Sequence, residues 1–156
     1  MEKRYNLYNL EASFKKYLLA ENKNSLTIKN YLSDLRHFTG WLIFKFRIQN
    51  SDFDLESRIS EIFSLETITE YKAYLVENRL PAKTVNRRLS TVRKLCSFCI
   101  SQGWIKENPA KHIPNFQSEA EKTGLIEEYR MFLIKKGLDS QTINSSLRDT
   151  EEFLSL

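Results

Sequence analysis

The sequence predicts an all-α protein assembled from helical hairpins. One pattern recurs three times at nearly constant spacing: an aromatic, an aromatic-Leu pair, a polar turn, Ser/Ala-x-Thr-Ile/Val, then apolar residues every three or four positions. It reads Phe14, Tyr17, Leu18, Ser25, Thr27, Ile28, Leu32 and Leu35, and again Tyr71, Tyr74, Leu75, Ala82, Thr84, Val85, Leu89 and Val92, displaced by 57 residues. The third copy is Tyr129, Phe132, Leu133, Ser140, Thr142, Ile143 and Leu147, displaced from the first by 115 without a gap. Self-similarity at such a period marks one supersecondary unit repeated, and its apolar spacing is helical on both sides of the turn. Composition agrees, since 41% apolar residues with four Gly and three Pro suit a folded, helix-rich chain of 156 residues.

The first helix begins near Leu7 and buries Leu10, Phe14, Tyr17 and Leu18. Asn22-Lys-Asn-Ser breaks it, and Ser25 stands where an N-cap belongs. The second helix carries the stripe Ile28, Tyr31, Leu32, Leu35, Phe38 and Leu42. Residues 49–57 are polar and turn-rich, the longest connection in this part of the chain. A third helix is expected from Thr67, where Thr67-Ile-Thr-Glu70 has capping-box spacing, to Asn78, with Ile68, Tyr71, Tyr74 and Leu75 inward. Pro81 supports the break. The fourth helix runs from Ala82 to Ser101 and ends at Gly103, a C-terminal cap.

Residues 104–114, with Pro109 and Pro114, read as an irregular exit segment, and residues 115–124 as a polar linker. Two more helices follow, Leu125 to Lys136 and Ser140 to Leu156, around Gly137-Leu-Asp. The expected organisation is therefore a domain over 1–114, a linker over 115–124 and an additional hairpin over 125–156. The last pattern stops in mid-helix with no cap, which predicts a fragment of something longer or a natural truncation.

The longest apolar run, Trp41 to Phe44, is too short for a membrane span, and the N-terminus lacks a signal-peptide core. A cytoplasmic protein is expected. Cys96-Ser-Phe-Cys99 invites a zinc or redox reading, but no second Cys pair exists and His37 and His112 lie at unrelated spacings. Two small buried apolar side chains one turn apart explain the pair, and no metal or cofactor is expected. Gly-rich phosphate loops and nucleophile elbows are absent from the sequence too.

Charge is unevenly spread. Residues 1–118 hold 19 Lys/Arg against 12 Asp/Glu, a net of +7, whereas residues 119–156 hold 5 against 8, a net of −3. On the fourth helix Leu89, Val92, Cys96 and Cys99 lie within about 40° of Val85 at 100° per residue and form the buried stripe with it. Lys83, Arg87, Ser90, Thr91 and Lys94 fall opposite, with Arg88 and Arg93 on the flanks. The five Lys/Arg between Pro81 and Gln102 face no acidic residue on the same helix. A solvated face normally mixes its signs, because i,i+4 ion pairs add a few tenths of a kcal/mol each. A one-sign face suits phosphate binding instead, with Ser, Thr and Asn adding neutral hydrogen bonds. On the second helix Asn30, Ser33 and His37 point outward and Lys29 and Arg36 flank them, with Asp34 interrupting.

The runs Ser25-Leu-Thr27-Ile-Lys-Asn-Tyr31-Leu-Ser-Asp-Leu35, Pro81-Ala-Lys83-Thr84-Val-Asn-Arg87-Arg88-Leu-Ser90-Thr91-Val-Arg-Lys94 and Gly103-Trp-Ile-Lys-Glu-Asn108-Pro109-Ala, in this order, resemble the core-binding domain of tyrosine recombinases, the phage-integrase group. The resemblance covers about residues 8 to 114. It implies a SAM-like four-helix bundle of two hairpins, with the third, C-terminal hairpin added to it. It further implies double-stranded DNA at a recombination site as partner, in a prokaryotic, nucleoid-associated cytoplasmic setting. The DNA-facing positions it assigns are Ser25, Thr27, Lys29, Asn30 and Ser33 on the second helix and Lys83, Thr84, Arg87, Arg88, Thr91 and Lys94 on the fourth. Arg87 is the first candidate to read a base, because Arg pairs bidentately with guanine.

Two departures qualify the resemblance. The family's catalytic half, with its arginines, Lys, His-x-x-Arg and nucleophilic Tyr, is absent, since neither His37 nor His112 has Arg three residues on. The chain is therefore expected to bind DNA without cutting it. The acidic third hairpin, with Glu127, Glu128, Asp149, Glu151 and Glu152 outward, repels a duplex and resembles the opening half of another such domain. It is expected to self-associate or to begin a second domain. The alternative reading of the whole chain is a helical protein-interaction module, and neither reading calls for a membrane or a small-molecule substrate.

Overall fold

The computed structural model describes residues 7–48 and 57–156, with the side chains of Leu7 and Tyr8 left aside. The polar connection therefore lies almost wholly outside the described residues. Every regular element described is helical: α1 (Leu7–Ala20), α2 (Ser25–Lys45), α3 (Ile59–Ile62), α4 (Leu65–Glu77), α5 (Ala82–Ser101), a 3₁₀ turn (Pro109–His112), α6 (Glu119–Lys135) and α7 (Ser140–Ser155). Two compact units result, residues 1–115 and 116–156. No described helix is long and apolar enough to cross a membrane.

The threefold repeat is realised turn by turn. Asn22, Arg79 and Gly137, at equivalent positions, take φ of 56°, 55° and 78° and end the first helix of each hairpin in the left-handed region. The next amide in each case bonds back to the equivalent leucine carbonyl: Lys23 to Leu18 at 3.2 Å, Leu80 to Leu75 at 3.4 Å and Leu138 to Leu133 at 3.4 Å. Each closure satisfies a carbonyl that the helix end leaves open.

In the first unit α1–α2 and α4–α5 form the bundle and α3 is a single turn leading into α4. Phe98 of α5 packs against Phe14 and Tyr17 of α1, with ring centroids at 5.7 and 5.4 Å, and edge-on against Trp104 at 5.5 Å. Tyr71 of α4 meets Phe38 and Trp41 of α2 at 4.8 and 5.1 Å. Such ring pairs add to the burial of their large apolar area. Cys96 and Cys99 are fully buried within this core, and burial pushes the Cys96 thiol up to about 12 and Cys99 further. Both are therefore inert thiols at neutral pH.

Several sequence expectations shift by a few residues. The N-cap of α2 is Asn24, whose Oδ1 accepts from the Thr27 amide at 2.8 Å, so Ser25 is the first helical residue. Helix α4 starts at Leu65 with Ser64 as its cap, and Thr67 instead buries its hydroxyl and donates to the Glu61 carbonyl at 2.8 Å. The capping box lies in the second unit, where Ser118 and Glu121 satisfy each other's backbone N–H groups. Helix α6 therefore begins six residues before Leu125, within the stretch expected as linker. Gly103 ends α5 as expected, at φ 74°.

The exit segment is ordered by Asn108. This side chain is buried, donates to the Arg93 carbonyl at 2.9 Å and accepts from the Ala110 amide at 3.2 Å, which caps the 3₁₀ turn onto α5. Arg93 completes the joint by donating to the Ala110 and Ile113 carbonyls at 3.2 and 2.8 Å.

Candidate nucleic-acid interface

Helices α2 and α5 lie side by side, and an open groove of about 430 Å³ runs between them. Thr27 and Asn30 line it from α2, and Asn86, Arg87 and Ser90 from α5. At its floor sits Asp34, which is 3% exposed. Its carboxylate accepts from Arg87 Nη1 at 2.5 Å and from Thr91 Oγ1 at 3.0 Å. Arg88 Nε approaches the other oxygen at 3.9 Å, inside ion-pair range and beyond hydrogen-bond reach. Positions 34 and 91 are equivalent in the repeat, so this bond joins the two hairpins across their internal pseudosymmetry.

Arg88 continues the network inward. Its Nη1 meets His37 Nε2 at 2.8 Å, and His37 Nδ1 meets the Tyr71 hydroxyl at 2.8 Å. A guanidinium only donates, so Nε2 accepts and the neutral ring carries its proton on Nδ1. Burial, and then the Arg88 charge, hold His37 below its ordinary value against an opposing pull from Asp34. Burial likewise pushes the Tyr71 hydroxyl well above the usual tyrosine range.

The eleven residues assigned from the sequence separate into distinct settings. Thr27, Asn30 and Arg87 share the groove, and Arg87 keeps 45% of its side chain exposed above Asp34. Ser25 and Lys29 line a different hollow, with Lys15 and Leu19 of α1 and Arg36 of α2. Ser33 and Lys83 are exposed on α2 and α5, and Thr84 is half-buried in the first turn of α5. The remaining three are engaged within the protein, although Thr91 also lines the groove. Thr91 is 2% exposed, Arg88 keeps 18% of its side chain exposed, and Lys94 pairs with Glu21 of α1 while lying 5.4 Å over the Tyr17 ring. Hydrogen bonding to Lys94 holds the Glu21 carboxyl below its usual range.

Asp34 is the participant that sequence reasoning missed. A carboxylate on the outer arc of a basic helix reads as an interruption, because its partners are 53 and 57 residues away. The one available signal was that Asp34 and Thr91 occupy the same place in the repeat.

The geometry belongs with a known domain type. Residues 9–117 match the phage integrase SAM-like domain. The chain belongs to that family. Among curated relatives it is 29% identical over 126 residues to the tyrosine recombinase XerC of Halalkalibacterium halodurans, covering 74% of this chain and 38% of that protein. It is 30% identical over 129 residues to XerD of Rickettsia prowazekii, covering 78% and 37%. A third relative, XerC of Chlamydia muridarum, is 28% identical over 126 residues, covering 74% and 40%. The chain thus spans about two-fifths of the length of these relatives and matches their N-terminal part. The remainder of those recombinases has no counterpart in these 156 residues. No solved structure gives a significant match.

Proposed function

We propose that the α2–α5 face binds double-stranded DNA sequence-selectively, as the core-binding domain of a tyrosine recombinase, and that this chain performs no strand transfer by itself. The observation that supports it best is Arg87: a guanidinium anchored at its base by a buried carboxylate, extending over a groove lined with Thr27, Asn30, Asn86 and Ser90. Anchoring fixes the fork of donors, which lowers the entropy lost on meeting a guanine edge. Lys29 and Lys83, exposed on α2 and α5 outside the groove, serve as phosphate contacts, with Ser33 and Thr84 as neutral donors. Thr91, Arg88 and Lys94 support the face from behind. The setting is a prokaryotic nucleoid.

The test is a titration of a fluorescent duplex across a salt series. Contacts from Lys29, Lys83 and Arg87 correspond to a slope of log affinity against log salt of about −3, at about −0.9 per phosphate. Lys83→Ala lowers affinity similarly on every sequence. Arg87→Ala costs about 1 to 3 kcal/mol on the preferred site and less on others. Absence of binding at low salt, or binding indifferent to both changes, refutes the proposal.

A further inference from the structure

The α6–α7 hairpin copies α1–α2 in detail yet leaves open what α1–α2 covers. Asp139 caps α7 through its Oδ1, accepting from the Thr142 amide at 2.9 Å, as Asn24 accepts from Thr27. The stacked pair Tyr129–Phe132, at 6.4 Å and 15°, reproduces Phe14–Tyr17 at 6.3 Å and 16°. Leu133, Ile143 and Leu147 form a small core with Ile126 and Tyr129 against it. The difference lies at positions that are buried in the first unit, Phe38 among them against Tyr71 of α4. Leu10 and Phe38 are each 1% exposed, whereas their equivalents Leu125 and Phe153 are 45% and 73% exposed. Phe132, equivalent to the Tyr17 that packs on Phe98, is 52% exposed.

Two charged positions specify what would fit there. Asp149 is the equivalent of Asp34, the carboxylate that receives Arg87 and Thr91 from α5, and it is exposed on α7. Lys136 is the equivalent of Glu21, with the sign reversed. In the first unit the cation over the Tyr17 ring is Lys94 of α5, paired with Glu21. Over the Phe132 ring the cation is Lys136 from the same helix, 5.5 Å from the centroid. A covering helix therefore meets a positive charge where α5 meets a negative one.

We infer that the exposed face of α6–α7 is a docking surface for a second helical hairpin of α4–α5 type. That hairpin presents Arg and Ser/Thr one turn apart to Asp149, a large apolar ring to Phe132, and an acidic side chain to Lys136. This chain's own α5 meets the first two requirements and fails the third through Lys94, so the site selects a partner hairpin over a second copy. The inference stands independently of DNA binding.

The probe is a labelled peptide of residues 64–104 carrying Lys94→Glu, titrated against the full chain by fluorescence anisotropy beside the unaltered peptide. The Lys94→Glu peptide is expected to bind roughly two- to fivefold tighter, the factor an exposed ion pair supports. Amide resonances of residues 125–156 should shift. Lys136→Glu in the chain inverts the preference, and Asp149→Ala weakens both peptides about tenfold, the loss of one charge-assisted hydrogen bond. Both positions are exposed, so circular dichroism of these variants stays unchanged. A preference for the unaltered peptide, which would seat at Glu21 by exchange, overturns the inference. So does absent binding, or binding indifferent to both chain variants. Self-association of the chain that Phe132→Asp abolishes also overturns it, because a second copy would then fill the face.

Discussion

Replacing Asp34 by alanine removes the carboxylate on which α2 and α5 converge, and the structure sets the cost. Asp34 is 3% exposed, and its loss leaves the Arg88 guanidinium, 18% exposed at its side chain, without an opposing charge. Breaking a buried pair from one side costs about 3 to 5 kcal/mol. Two features reduce that here: Arg87 is 45% exposed and rehydrates, and Thr91 retains a bond to the Arg87 carbonyl at 3.3 Å. The expected loss is about 2 to 3 kcal/mol, or on the order of 10 to 15 °C in Tm for a domain of this size. Urea denaturation followed by circular dichroism measures it. Asp34→Asn separates stability from recognition, since it keeps the shape and adds one net positive charge to the face. Affinity for random duplex should hold or rise, while the ratio of preferred to random binding falls because Arg87 loses its anchor. A destabilisation below about 1 kcal/mol for Asp34→Ala refutes the structural role assigned to the carboxylate. Equal changes on preferred and random DNA for Asp34→Asn refute the anchoring argument.

His37 makes stability depend on pH. Its folded value lies below the unfolded one near 6.5, so between them the unfolded chain binds more protons, and its contribution, present above about pH 6.5, is lost as pH falls. Thermal melts from pH 7.5 to 5 should show this decline, and His37→Gln should flatten it; an unchanged slope in the variant shows that another group carries the dependence. Asn108→Ala should cost about 1 to 2 kcal/mol, because it removes a buried cap, while the Arg93 carbonyl keeps the Ser97 hydroxyl at 3.1 Å. Faster proteolysis near residues 108–114 would locate the effect, and a neutral outcome would show the exit segment held without it.

The hairpins were legible because apolar side chains recur at helical spacing, and the repeat made each copy support the others. Caps were less legible. Ser25 and Thr67 have the right chemistry, but Asn24 and Ser64 stand one and three residues earlier and close the turn better. The single turn α3 is too short to carry a period, and the first turns of α6, Glu-Ala-Glu-Lys-Thr-Gly, are too polar to show an inward stripe. For the site, the sequence singled out two helices that the structure brings side by side, and Arg87 lines the groove between them. The sequence pattern also put Thr91 and Lys94 on the outer arc and Arg88 on its flank, since a helical wheel records direction from one axis and says nothing of the neighbour on that side.

That neighbour changes the meaning of the one-sign helix. The five cations of α5 have no acid on their own helix, and three of them find their counter-charges on other helices. Arg87 and Arg88 converge on Asp34 of α2, and Lys94 pairs with Glu21 of α1, while Arg93 is occupied by carbonyls of the exit segment. An acid within α5 would compete for these side chains locally, at a few tenths of a kcal/mol per pair, and loosen the contacts that join the hairpins. The absence of acid on α5 therefore serves assembly first. What remains for a ligand is Lys83 and the outward edge of Arg87, together with Lys29 of α2. On the proposed DNA-binding function, a small set of cations on a rigid support predicts a modest salt dependence, with selectivity concentrated in one anchored guanidinium.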